Sequence, residues 1–141
     1  ALRPSSISGF GLFASRNFQI NSLIIEYCGE MLTGDDLVNK RDALYNLLGK
    51  RYQKSCYLFR LDESKVLDAT HKGNLSRFIN HSCDPNCYSR VVQIDGQKKL
   101  LIFASKIIES GEEILYDYKF PDEDQKIPCR CGSDKCRKWM N

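Results

Sequence analysis

"RFINHSCDPNCYS", Arg77 to Ser89, runs from an apolar pair, Phe78 and Ile79, straight into Asn80, His81, Ser82, Cys83, Asp84, Pro85, Asn86 and Cys87. A chain that is only building core seldom crowds polar, turn-forming and ligand-capable residues beside a buried segment. Taken alone, His81 reads as a satisfied structural histidine and Asn80 as a turn residue. What the stretch means depends on what the rest of the chain supplies.

The 141 residues are enough for one domain with a real core, and 42% apolar and 28% charged content is ordinary for a globular chain. No apolar run approaches the ~20 residues of a membrane helix. The chain begins at Ala1 with no Met and no signal-like segment, and reads as a piece cut from a longer protein. A net charge of +3 is mild, and the basic residues are scattered except at Lys135, Arg137 and Lys138. That group reads as solvated surface rather than as a strong nucleic-acid site. Of the seven cysteines, Cys129, Cys131 and Cys136 crowd together. An odd count suits a disulfide framework poorly, and the crowding favours a metal site in a reducing compartment.

No repeat, low-complexity tract or linker divides the chain. Branched and aromatic residues predict strands at Leu23–Tyr27, Tyr57–Leu61, Val91–Ile94, Lys99–Ala104 and Ile114–Tyr118. Asp95-Gly96 predicts a type I′ hairpin turn, and Ser110-Gly111 announces the last strand. Leu37, Arg41, Leu44, Tyr45 and Leu48 recur at helical spacing, with Asp35 or Asp36 to cap the start and Gly49 to stop it. A second short helix is expected just before Asn80. The absence of βαβ alternation argues against a parallel nucleotide-binding sheet, and the fold class is mainly β.

"PCRCGSDKC", Pro128 to Cys136, presents three thiolates as C-x-C-x4-C. Zinc takes four ligands in a tetrahedron, so the fourth must come from Cys28, Cys56, Cys83 or Cys87, and spacing alone does not choose. Three exposed thiols without a metal would be an oxidation liability. Tyr116 and Tyr118 share one face of their strand by alternation. They are either core rings with wet tips or one wall of an aromatic channel for a cationic chain. Phosphoryl-transfer and hydrolytic readings lack support, since no phosphate loop carries a Lys-Ser/Thr and no G-x-S-x-G elbow occurs.

"SGFGLFA" (Ser8–Ala14), "RFINHSCDPNC" (Arg77–Cys87), "GEEILYDY" (Gly111–Tyr118) and "PCRCGSDKCRKWMN" (Pro128–Asn141) together resemble the SET domain followed by its post-SET zinc segment. They occur in the family's order and cover nearly the whole chain. "YDYKF" and "CRKWMN" are most similar to the trithorax or mixed-lineage-leukaemia branch, whose members methylate lysine four of histone H3. The resemblance implies small curved β-sheets with a pseudoknot-like threaded segment around Asn80–Cys83. It implies a SET domain over residues 1–120, with a helical insert at about 34–55, and a post-SET segment over 121–141. By the same resemblance, Asn80 and His81 hold S-adenosylmethionine, with Ser8, Phe10, Gly11 and Arg130 also against the cofactor. Cys83 joins Cys129, Cys131 and Cys136 around structural zinc, leaving Cys87 a free thiol. Tyr118 is the central catalytic tyrosine, Tyr116 limits how many methyl groups fit, Tyr57 contacts the cofactor at the channel floor, and Tyr27 is a channel wall.

The reaction so implied transfers a methyl group from S-adenosylmethionine to a lysine ε-amine of the histone H3 N-terminal tail, in the nucleus. Branch members work with a WD-repeat, Ash2-like scaffold, and the same partner is expected here. A hydroxyl at Tyr116 predicts mainly mono- and dimethylation. Two departures stand out. Ser8-Gly9-Phe10-Gly11-Leu12 replaces the family's usual His-Gly-Arg-Gly-Leu, which leaves main-chain contacts to the cofactor there. Residues 34–55 are longer than the family pattern and bear on the substrate groove. The alternatives are a SET enzyme for another histone or non-histone lysine, a degenerate SET domain acting as a chromatin-binding module, and a zinc-ribbon nucleic-acid binder.

Overall fold

The computed structural model describes residues 1–34, 57–61, 64–118 and 128–140. The helix expected over Leu37–Leu48 and the thiol of Cys56 lie outside them. The strands are β1 (Leu2–Pro4), β2 (Phe10–Leu12), β3 (Leu23–Tyr27), β4 (Gly29–Thr33), β5 (Leu58–Arg60), β6 (Lys65–Gly73), β7 (Asn80–His81), β8 (Cys87–Ile94), β9 (Gln97–Ala104) and β10 (Leu115–Tyr116). A single 3₁₀ turn, Leu75–Phe78, is the short helix expected before Asn80. The mainly β expectation is met. β1 pairs with β2, a second sheet has the order β4-β6-β5, and a third has the order β3-β9-β8-β10-β7.

The β8–β9 hairpin forms as Asp95-Gly96 predicts: φ is 50° at Asp95 and 77° at Gly96, the two left-handed positions a type I′ turn demands. β6 escaped the sequence reading. Its Val66, Leu67, Asp68 and Ala69 are buried in succession, so no alternation marks it. Asp68, buried among them, accepts the Thr70 N–H on its Oδ1 at 2.9 Å.

The described residues group into two compact units. One comprises Ala1–Glu26, Phe78–Arg90 and Leu101–Asn141, the other Tyr27–Arg77 and Val91–Leu100. In the second, Tyr27, Leu61, Leu67, Ala69 and Leu100 form a buried cluster with Tyr57 and Phe59 packed against it. In the first, Phe18, Ile79, Ile102, Ala104, Ile108 and Ile114 are buried. Each large aliphatic side chain so buried contributes roughly 1.5–3 kcal/mol.

Within the first unit, β10 lies between β7 and β8 and is parallel to both, with Leu115 opposite Asn80 and Tyr116 opposite both His81 and Cys87. Parallel neighbours ordinarily need a crossover of a dozen or more residues, and both pairs have one, because β10 follows β7 and β8 only after the β8–β9 hairpin. β7 and β8 are not paired with each other, so the short Ser82–Asn86 connection only has to join them across the two-residue β10. Asn86 acts as a short piece of strand: its Nδ2 donates to the Glu113 carbonyl at 2.8 Å and its Oδ1 accepts the Leu115 N–H at 2.9 Å. The strand expected over Ile114–Tyr118 is thereby reduced to Leu115–Tyr116. Beyond it, the Tyr118 N–H goes to a histidine ring instead of a neighbouring carbonyl.

Candidate functional site

The Asn80 side chain leaves β7 and gathers the N-terminal loop. Its Nδ2 lies 3.2 Å from the Ser8 carbonyl, 3.2 Å from the Phe10 carbonyl and 2.9 Å from Glu113 Oε1. Two N–H bonds are shared among three acceptors. Glu113 is the second fixed point of this cradle, since its Oε2 accepts the Ser5 hydroxyl at 3.0 Å. A Cβ at Gly11 would stand 2.1 Å from Glu113 Oε1, so a glycine there lets the carboxylate reach Asn80. The result is a knot of carbonyl and carboxylate oxygens beside an exposed Phe10 ring. Such acceptor oxygens suit an ammonium group, and the exposed ring offers a face to a flat heterocycle.

His81 is buried, and both ring nitrogens face protein. Nδ1 accepts the Tyr118 N–H at 3.1 Å, which leaves the proton on Nε2, 3.6 Å from Cys83 Sγ. Asp117 Oδ1 also stands 3.6 Å from Nδ1, but a nitrogen that is accepting a hydrogen bond makes no ion pair. Burial lowers the His81 pKa, and the nearby Asp117 charge does not reverse this. The imidazole is neutral at pH 7. A ligand at this position meets the main chain of His81, since the ring is engaged inside.

Tyr118 is held at both ends. Its backbone N–H reaches His81, and its hydroxyl donates to the Ile79 carbonyl at 2.5 Å. The ring stands edge-on to His81 at 5.2 Å and tilts against Tyr116 at 4.9 Å. Tyr116 itself is buried. With its proton directed at a carbonyl, the Tyr118 oxygen turns its lone pairs elsewhere, as an acceptor.

Cys83, Cys129, Cys131 and Cys136 converge, their sulfurs all within 4.8 Å of one another. The Cys83 sulfur is 3.6 Å from that of Cys129 and 4.0 Å from that of Cys136. A tetrahedron of thiolates at the Zn–S distance of ~2.3 Å has edges of about 3.8 Å, so the spacing fits zinc. Burial opposes ionisation of Cys131, yet hydrogen bonds from the backbone at Ser133 and Cys83 and from neighbouring thiols bring its pKa down to about 6. Burial pushes the Cys129 thiol up. One ready thiolate beside a reluctant Cys129 belongs to a set that a divalent cation would complete by displacing the remaining protons. Cys87 stands outside this set; it is buried, and burial pushes its thiol to about 12, which makes it inert near neutrality.

Three features fold the cysteine segment back on itself. The Cys129 N–H donates to the Lys138 carbonyl at 2.8 Å, the Lys138 N–H donates to Cys136 Sγ at 3.3 Å, and Pro128 pairs with Trp139. Two side chains tie it to the rest of its unit. Ser133 Oγ donates to Asp84 Oδ2 at 3.2 Å. Arg137 donates from Nη1 and Nη2 to the two oxygens of Asp117, at 2.9 and 3.1 Å. Arg130 is exposed.

The first unit thus holds Ser8, Phe10, Gly11, Asn80, His81, Tyr116, Tyr118 and the four cysteines. The second holds Tyr27 and Tyr57. There the Tyr27 hydroxyl donates to the Tyr57 carbonyl at 3.1 Å, its ring lies 5.7 Å from that of Phe59, and the Arg77 guanidinium stands 4.6 Å over the Tyr57 ring. Sequence reasoning missed Asn86, Glu113, Asp117 and Arg137. Position was their one signal: each adjoins or alternates with a residue that had been singled out.

The family model described as the SET domain matches residues 9–119. Over 137 residues the chain is 50% identical to the histone-lysine N-methyltransferase trithorax of Drosophila virilis, covering 97% of this chain and 3% of that protein. Over 139 residues it is 49% identical to histone-lysine N-methyltransferase 2B of Homo sapiens, covering 97% of this chain and 5% of that one. It is also 46% identical over 138 residues to a Schizosaccharomyces pombe histone-lysine N-methyltransferase whose name specifies H3 lysine-4, covering 98% of this chain and 15% of that protein. The chain therefore spans a small part of the relatives it matches.

Proposed function

The chain belongs to the SET-domain family, and on that premise we propose that it is a histone lysine methyltransferase acting on lysine four of the histone H3 tail in chromatin. The observation that carries this reading is near half identity, along almost the whole chain, to relatives named histone-lysine methyltransferases. S-adenosylmethionine, when bound, supplies a methyl group already activated by its sulfonium charge.

The protein's part is then to hold, orient and exclude water. We assign the Asn80–Glu113 cradle, with the main chain at Ser8, Phe10, Gly11 and His81, to the cofactor's ammonium and adenine ends, and Arg130 to its exposed side. A lysine side chain has a pKa of ~10.4 and must lose its proton before it can attack. Aromatic surroundings disfavour the ammonium and lower that pKa. Tyr118, with its proton committed to Ile79, offers oxygen lone pairs that orient the neutral amine, and most of the rate comes from such positioning. Tyr116, packed on Tyr118, limits the room for added methyl groups. Tyr57 and Tyr27 keep the roles that the resemblance gives them, cofactor contact and channel wall. Zinc at Cys83, Cys129, Cys131 and Cys136 is structural, and a WD-repeat, Ash2-like scaffold is the expected partner.

The test incubates the purified domain with S-adenosylmethionine and H3-tail peptides, with and without lysine four replaced by alanine, and reads mass. Additions of 14 Da (one methylene, ~14 Da by atomic mass) that vanish with the replacement support the full reading. Additions that persist move the target lysine. None, with scaffold supplied, overturns the enzyme in favour of a chromatin-binding module.

A further inference from the structure

We propose that Asp117 and Arg137 are positioning residues that couple metal loading of the cysteine cluster to the placement of Tyr118. The catalytic half of this inference rests on the function proposed above; the metal half does not. β10 ends at Tyr116, so the backbone at Asp117 and Tyr118 has left the ladder and its course is set by side chains. Tyr118 is fixed on one side by Ile79 and His81. Asp117 is fixed by the paired bonds from Arg137. A planar guanidinium gripping both carboxylate oxygens restrains orientation as well as distance, which a single ammonium does not.

Arg137 in turn has its place from the cluster. It follows Cys136 directly, and the next residue, Lys138, donates its N–H to the Cys136 sulfur and accepts the Cys129 N–H. Lys138 has φ of 71°, a left-handed conformation that a non-glycine residue keeps only where its surroundings impose it. Burial within residues 128–140 is slight: every one of them is exposed or half-buried. The segment has no core of its own to hold Arg137 once the cysteines separate. Metal binding is what would hold Cys83, Cys129, Cys131 and Cys136 together. The coupling runs from the metal through Cys136 and Arg137 to Asp117, and from there to the tyrosines on either side of it.

Coupling of this kind acts in both directions. Breaking the pair from the Asp117 side must loosen the metal, although Asp117 is no ligand. The zinc-loaded domain is challenged with a chromogenic chelator, and zinc release is followed by the dye and by Trp139, the single tryptophan of the chain. D117N is expected to speed release about five-fold, R137A similarly, and R137K less than R137A, with D117N/R137A no faster than either alone. In the methylation assay, D117N is expected to lower kcat about ten-fold, with the KM for S-adenosylmethionine within about two-fold.

Unchanged release in D117N overturns the coupling, and so do effects of D117N and R137A that simply add. Faster release with an unchanged kcat removes Tyr118 from the proposal. If the wild-type domain transfers no methyl group, the proposed function fails on its own, while the release rates still decide whether Asp117 and the metal are coupled.

Discussion

The sheet β4-β6-β5 and the β7-β10 pair with its cysteine segment are held by different means. In the first, β6 is paired on both sides over Val66–Asp68, with Glu30–Leu32 against one edge and Leu58–Arg60 against the other. Four successive residues of that strand are buried. Its stability is spread over many backbone bonds and much apolar area, so no single polar contact decides it. In the second, two-residue strands are held by Asn86 and His81, and residues 128–140 are tied on by Ser133 to Asp84, by Arg137 to Asp117 and by three sulfurs converging on Cys83. Few contacts carry much there, and each is a specific side chain. The second region is built from parts that can be disturbed one at a time, and the cost is sensitivity to single changes.

The largest expected break comes from removing the metal. A strong chelator, or Cys131→Ser, should abolish methyl transfer, by about 100-fold or more. It should shift Trp139 fluorescence while the far-ultraviolet β signal largely remains. Loss of both signals together would mean that the two regions are not separately held.

Next is Leu100→Ala. Leu100 is fully buried in the cluster with Tyr27 and Leu67, and truncation should cost about 3 kcal/mol in urea unfolding. Asn86→Ala should follow at about 2 kcal/mol, since two backbone groups of the Glu113–Leu115 stretch lose their partners. A cost below about 0.5 kcal/mol would show that its hydrogen bonds are not what closes the short β7–β8 connection.

Cys87 gives a smaller, pH-dependent effect. Its thiol is raised from 9.0 to about 12 on folding, so the unfolded chain ionises first and stability falls as pH climbs from 9 toward 12, with no effect below. At pH 10 the loss should be about 1 kcal/mol relative to neutral pH, and Cys87→Ala should remove that slope. The smallest structural change expected is Tyr116→Phe. It should leave stability within about 0.5 kcal/mol and shift products toward higher methylation. An unchanged product ratio over a time course would detach Tyr116 from methyl number.

The sequence alone determined the β-rich class, the Asp95-Gly96 hairpin and a crowding of cysteines suited to a metal. These signals are local: turn chemistry, branched and aromatic runs, and thiols crowded within a few residues. It did not reveal β6, whose burial on both faces erases alternation, nor the true length of β10. Spacing left the fourth cysteine open among four, and the family resemblance named Cys83. What tertiary structure decided was the set of partners distant in sequence. Glu113 reaches Asn80 past Gly11, Asn86 stands in for a strand, and Arg137 grips Asp117. The polar residues among them lie inside the quoted motifs, but neither periodicity nor spacing pairs one with another. Each is an ordinary polar residue whose role is created when the fold brings a second chain segment within hydrogen-bond range, and that distance is not written in the spacing of the residues.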